Sequence, residues 1–129
     1  MLNDPLANVL SAVITYEQTG KRELLIHPVS KLIRRVISIM QEHGYVGQLE
    51  DINEGRGGFA KLHLLGNINK CGVIKPRFAI TKNDFVKFEK RYLPANGVGI
   101  LILSTPTGLM THEQAREKNI GGRLIAYCY

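Results

Sequence analysis

Three hydroxyls fall within four residues at Ser104-Thr105-Pro106-Thr107, and Gly108 follows them. Hydroxyl side chains donate and accept hydrogen bonds, and a glycine lets another backbone come close. Just beyond, Thr111 with Gln114 three residues on forms a capping-box pattern, the mark of a helix start. A helix start offers unpaired N–H groups and a partial positive charge. The chemistry open to this set is hydrogen bonding to phosphate and sugar, or to another polar partner.

Catalytic patterns are missing. The segment contains no carboxylate pair, no metal-ligand spacing and no nucleophile beside a base. Ser104 lacks the G-x-S-x-G setting of a nucleophile elbow. His112-Glu113 opens like a zinc-protease motif, but Arg116 stands where the second histidine is required. Gly55, Gly57 and Gly58 do not have dinucleotide-loop spacing, and no Walker lysine follows a glycine-rich loop. His27, His43, His63 and His112 are scattered and read as surface or capping histidines. No enzyme, cofactor, metal site or small-molecule substrate is expected. Two cysteines, Cys71 and Cys128, have neither C-x-x-C spacing nor a histidine at ligand distance, and read as reduced, buried, small apolar residues.

Charge points toward a partner. The net charge is +6, and it is one-sided. Residues 1–66 carry seven Lys/Arg and seven Asp/Glu; residues 67–129 carry ten and four. A basic half of this kind suits nucleic acid or an acidic surface. Nothing at the N-terminus resembles a signal peptide, and apolar runs of four to six residues are far short of the roughly 20 that span a bilayer. The chain is therefore expected in the cytoplasm, with no membrane partner.

The elements that position these residues follow from spacing. Asp4-Pro5 is a helix start, and Leu6, Val9, Leu10, Val13 and Ile14 make one apolar stripe ending at Gly20. Residues 21–27 read as a strand broken by Pro28. Ser30 caps a second helix that carries Leu32, Ile33, Val36, Ile37 and Met40 inward and closes at Gly44. Strands at 45–52 and 59–65 flank a hairpin loop at 53–58, whose Arg56-Gly57-Gly58 is turn chemistry rather than an RNA-binding box. Residues 67–72 form a polar linker. Residues 73–80 read as one edge strand interrupted at Lys75-Pro76-Arg77. Thr81 caps a helix from 83 to 92 bearing Lys82, Lys87, Lys90 and Arg91. The apolar run Ile100-Leu101-Ile102-Leu103 is a strand leading to the Ser-Thr loop and to a helix at 111–119. Gly121-Gly122 then turns the chain into a last strand at 124–129. The fold class is α/β (α+β) in two small domains. Residues 1–66 form a helix-strand-helix-strand-strand sandwich, and residues 67–129 a basic, mostly β domain with short helices.

Several motifs also carry a resemblance. S-T-P-T-G-L-M-T-H-E-Q-A-R at Ser104, G-G-R-L-I-A-Y at Gly121, D-P-L-A-N-V-L at Asp4, P-V-S-K-L at Pro28, H-G-Y-V-G at His43 and N-K-C-G-V-I-K-P-R-F at Asn69 occur in order along the chain. Together they resemble the universal family of small-subunit ribosomal protein eight. The last motif, with Leu93-Pro94-Ala95, is similar to the archaeal and eukaryotic branch. The resemblance implies a structural constituent of the small ribosomal subunit that binds the central domain of small-subunit rRNA directly, helps assembly, and touches neighbouring ribosomal proteins. It points to Ser104, Thr105, Gly108, Met110, Gly121 and Gly122 as RNA contacts, with Asp4, Asn8 and Lys31 as a second contact. Thr107 completes the hydroxyl loop, and Lys70, Lys75 and Arg77 supply charge for phosphates. Pro106 departs from the S-T-S-x-G of bacterial members by lacking a hydroxyl and an N–H. The other reading that the charge alone allows is a non-ribosomal module binding RNA or an acidic partner. Salt separates the two, because purely electrostatic binding fades as ionic strength rises.

Overall fold

A computed structural model describes residues 5–26, 30–52, 59–75, 77–81, 83–95 and 97–129. The readings at Asp4, Pro28, the 53–58 loop with Arg56-Gly57-Gly58, Pro76 and Lys82 lie outside those residues. The chain divides into two compact units, Met1–Asn69 and Lys70–Tyr129. The mixed α+β class expected from the sequence is what the structure has, with one sheet in each unit.

In the first unit, helices α1 (Pro5–Gln18) and α2 (Lys31–Glu42) pack on each other and on a sheet of β1 (Glu23–Ile26), β2 (Val46–Ile52) and β3 (Phe59–Leu64). The strand order is β1-β3-β2, and every pairing is antiparallel. Central β3 alternates, burying Ala60, Leu62 and Leu64, and Leu24 and Ile26 of β1 pair with Leu62 and Ala60 on that same face. The period-two pattern therefore gives the sheet one dry side. Leu6, Val9, Leu10 and Val13 meet it from α1, each such side chain stabilising the fold by about 1.5–3 kcal/mol. Ser30 caps α2 by accepting the Ile33 N–H at 3.2 Å, as its position predicts. The inward set of α2 differs at two places: Ile39 is buried and Leu32 only half-buried. Ile39 lies one turn beyond Val36, so the apolar stripe extends to that side.

The second unit has β4 (Cys71–Val73), β5 (Ala79–Ile80), α3 (Phe85–Tyr92), β6 (Ile100–Thr105), β7 (Gly108–Thr111), α4 (His112–Glu117) and β8 (Gly122–Cys128). The sheet runs β4-β8-β6-β7, all antiparallel, with β5 also on β8. One face buries Leu101, Leu103, Met110 and Leu124 against Phe85 and Phe88 of α3 and Ala115 of α4. Four sequence expectations are corrected here. The strand expected at 73–80, interrupted at Lys75-Pro76-Arg77, is two short ones and starts earlier, at Cys71 within the expected linker; they pair to opposite ends of β8, Cys71 opposite Cys128 and Ile80 opposite Gly122. The chain leaves the ladder between them, where β8 itself shifts register against β6. The helix at 83–92 begins at Phe85; the Thr81 hydroxyl donates to the Asp84 carboxylate at 2.7 Å and caps nothing. A strand, β7, stands where loop was expected before the last helix. Gly122 opens β8 in place of turning the chain.

Candidate nucleic-acid interface

The expected Ser-Thr loop is much tighter than its sequence implies. Ser104 and Thr105 are the last residues of β6, and Gly108 faces Thr105 as the first residue of β7. Only Pro106 and Thr107 make the reversal. Proline fixes φ near −65°, so it fits the second position of a type I turn and excludes the mirror-image turns that need positive φ there. Gly108 carries the positive φ instead, at +121°. Proline at the second turn position needs no N–H, which is why Pro106 fits where a serine could stand.

Thr105 builds this turn from inside. Its hydroxyl donates to the Gly108 carbonyl at 2.7 Å and accepts the Thr107 N–H at 3.3 Å. The Thr107 hydroxyl lies 3.2 Å from the same oxygen, which fills the capacity of the Thr105 hydroxyl. Thr105 is buried, whereas Ser104, Pro106, Thr107 and Gly108 are exposed. Ser104 makes no hydrogen bond through its hydroxyl to the described residues.

Cross-strand register gives Ser104 its neighbours. Ala79 of β5 pairs with Arg123 of β8, Arg123 with Ser104 of β6, and Ser104 with Leu109 of β7. Directly paired residues share a face, so these four form one transverse row. Ala79, Arg123 and Ser104 are exposed and Leu109 is half-buried. The row lies at the end of the sheet that carries the Pro106-Thr107 turn. Arg123 was not among the residues singled out from the sequence. Its signal was parity: it sits one residue before the buried Leu124, on the opposite face.

The remaining expected contacts separate. Met110 is buried opposite Leu103, so its side chain belongs to the core. Gly121 and Gly122 have an internal reason to be glycine. A Cβ on Gly121 would meet the Ile80 carbonyl oxygen at 2.3 Å, and one on Gly122 would meet the Ser104 carbonyl oxygen at 2.2 Å. Neither has positive φ. Lys70 is exposed while its backbone exchanges two 2.8 Å hydrogen bonds with Tyr129. Lys75 and Arg77 are exposed on the chain between β4 and β5. In the first unit, Asn8 is exposed on α1 and Lys31 is exposed at the start of α2. Asp4 lies outside the described residues.

The capping box is present and holds α4 in place. Thr111 Oγ1 accepts the Gln114 N–H, and Gln114 Oε1 accepts the Thr111 N–H. The reading of His112 as a surface or capping histidine is corrected: it is 3 % exposed. Its Nδ1 accepts the Leu101 N–H at 3.1 Å, which leaves the proton on Nε2, 3.5 Å from the Glu89 carboxylate. Burial holds its pKa below the ordinary range, with Glu89 and Glu113 opposing the shift. Glu89, itself buried on α3, also accepts an ion-paired hydrogen bond from Arg116. This network was not legible, because Glu89 and His112 are far apart in sequence and look like ordinary helix residues.

Among the described residues no group of His, Cys, Asp and Glu could hold a metal ion, and no helix is long and apolar enough to cross a membrane. The arrangement offers hydroxyl, guanidinium and an exposed tight turn on one sheet end, which is hydrogen-bonding chemistry. A family model described as ribosomal protein S8 matches residues 4–129.

Proposed function

The chain belongs to the ribosomal protein S8 family, non-enzymatic structural proteins of the small ribosomal subunit, and we propose that it binds the central domain of small-subunit rRNA directly. Family membership gives the location, the small subunit of the ribosome, and the partners as a class, rRNA and ribosomal proteins. The finer assignment concerns which surface meets RNA. The observation that carries it is the exposed row of Ser104 and Arg123 beside the Pro106-Thr107 turn.

In this reading Ser104 reaches phosphate or a ribose 2′-hydroxyl, Arg123 neutralises phosphate, and the exposed turn at Thr107-Gly108 lets the RNA backbone come close. Thr105, Met110, Gly121 and Gly122 hold those groups in position. Lys70, Lys75 and Arg77 add sequence-independent attraction within the basic residues 67–129. Asn8 and Lys31, with Asp4, form the second contact in residues 1–66. N-K-C-G-V-I-K-P-R-F at Asn69 and Leu93-Pro94-Ala95 support the archaeal and eukaryotic branch as the chain's place within the family.

Isothermal titration of the full chain against a central-domain rRNA helix tests the proposal. The expected affinity exceeds that for an unrelated duplex at equal salt by at least about a thousandfold. Ser104→Ala is expected to weaken it by about 1 kcal/mol while leaving the melting temperature unchanged. Equal affinity for both RNAs refutes specific recognition, and an unaffected Ser104→Ala moves the contact off this row.

A further inference from the structure

Cys71 and Cys128 are separated by nearly the whole second unit in sequence, yet they stand directly opposite each other on β4 and β8. Lys70 and Tyr129, the next pair outward, exchange both of their backbone hydrogen bonds at 2.8 Å. Antiparallel pairs alternate, so Cys71 and Cys128 form a non-hydrogen-bonded pair. In such pairs the side chains project toward the same face and the Cα atoms are about 4.5 Å apart. That falls inside the window of about 4.4–6.8 Å that a disulfide spans. The next pair of this kind, Val73 with Ala126, puts only a methyl group beside Cys128 along β8. Both cysteines are thiols in the structure.

We propose that Cys71 and Cys128 are a reversible oxidation site, which a peroxide converts to a cross-strand disulfide tying the first strand of the second unit to its last. Cys71 is the attacking sulfur. It lies on a three-residue edge strand and is 7 % exposed, whereas Cys128 is 0 % exposed on a strand paired along both edges. The Cys71 sulfur attacks one peroxide oxygen and the O–O bond breaks. The sulfur is oxidised to a sulfenic acid, and the other oxygen leaves as water with the thiol proton. The Cys128 sulfur then attacks the sulfenic sulfur. An S–S bond forms, and the sulfenic oxygen leaves as a second water with the Cys128 proton. Two thiols and one hydrogen peroxide thus give one disulfide and two waters. The ring encloses almost all of the second unit, so the link restricts the unfolded chain strongly.

The test uses the full chain, reduced, freed of reductant and treated with hydrogen peroxide, then denatured and alkylated with N-ethylmaleimide. The untreated protein is expected to take up maleimide at both cysteines. The treated protein is expected to take up none, to weigh less by two hydrogens, and to yield one linked peptide holding Cys71 and Cys128. Dithiothreitol is expected to restore both alkylations, and the oxidised form to melt at least about 5 °C higher. Retained alkylation at both thiols, oxygen added without a link, or a disulfide joining two chains overturns the proposal. In Cys71→Ser, Cys128 is expected to stay alkylatable after peroxide; its loss there also overturns it. If that variant does not fold, the wild-type masses decide alone.

Discussion

Gly122→Ala separates a glycine needed for packing from a glycine that RNA approaches. The added Cβ would stand 2.2 Å from the Ser104 carbonyl oxygen, 3.0 Å from its carbon and 3.2 Å from Thr105 Cγ2. Ordinary carbon–oxygen contact begins at about 3.3 Å, so the two strands must part by about 1 Å. β6 is paired on both sides, to β7 and β8, and has little room to yield. A ladder bond of about 2.9 Å stretched by that amount is lost. One or two lost bonds cost about 1 kcal/mol each, and the forced side chain about 1–3 kcal/mol more. Against this, alanine restricts the unfolded chain, which returns about 0.4–1 kcal/mol because Gly122 does not need positive φ. The net loss is about 1–4.5 kcal/mol. Urea titration followed by circular dichroism is expected to show the midpoint lowered by about 0.5–2 M. A midpoint within about 0.3 M of wild type refutes the packing argument. So does a Gly122→Ala protein that is as stable as wild type yet loses RNA binding, because the glycine is then read by the RNA itself.

Three further outcomes follow from other residues. Thr105→Val keeps the shape and removes the turn's central hydroxyl; stability is expected to fall by about 1 kcal/mol, with faster hydrogen exchange at the Thr107 amide. Arg123→Ala is expected to reduce the slope of log affinity against log salt by about one for central-domain RNA, with no change in melting temperature. His112 gives a pH dependence: burial lowers its folded pKa, so below about 6.5 the unfolded chain takes up a proton that the folded chain resists. Stability is thus whole above that pH and declines as pH falls toward the folded pKa. His112→Asn, which keeps an acceptor for the Leu101 N–H, is expected to flatten that decline between pH 7 and 5 in urea titrations, and parallel curves would refute it.

Helices were legible because their signals are local. Ser30 and the Thr111-Gln114 box act within one turn, and the α1 stripe repeats at helical spacing. The buried run Ile100-Leu101-Ile102-Leu103 was equally plain, since four consecutive apolar residues suit a strand dry on both faces. What escaped is set by pairing between distant segments. The break at Lys75-Pro76-Arg77 was legible, but the start of β4 at Cys71, within the expected linker, depends on its pairing with β8. The role of Gly122 depends on the Ser104 carbonyl, and the burial of His112 depends on Glu89 and Leu101. At the candidate interface the sequence located Ser104 and the turn. It did not reveal that the Thr105 hydroxyl is occupied within the turn, nor that Arg123 stands beside Ser104.

β8 pairs with β4 and β5 along one edge and with β6 along the other, yet it follows all of them in the chain. A polypeptide made from its N-terminus therefore exposes β4, β5 and β6 before the strand that joins them exists. The β6–β7 hairpin can close early, because its partners are adjacent, but the other edge of Ile100-Leu101-Ile102-Leu103 stays open. An open apolar edge is a template for another chain. During synthesis the second unit thus passes through an interval of exposure that the first unit, with its adjacent β2 and β3, does not share to the same degree. The order of strands along the chain, and not only the finished fold, therefore decides when this unit is open to pairing with another chain.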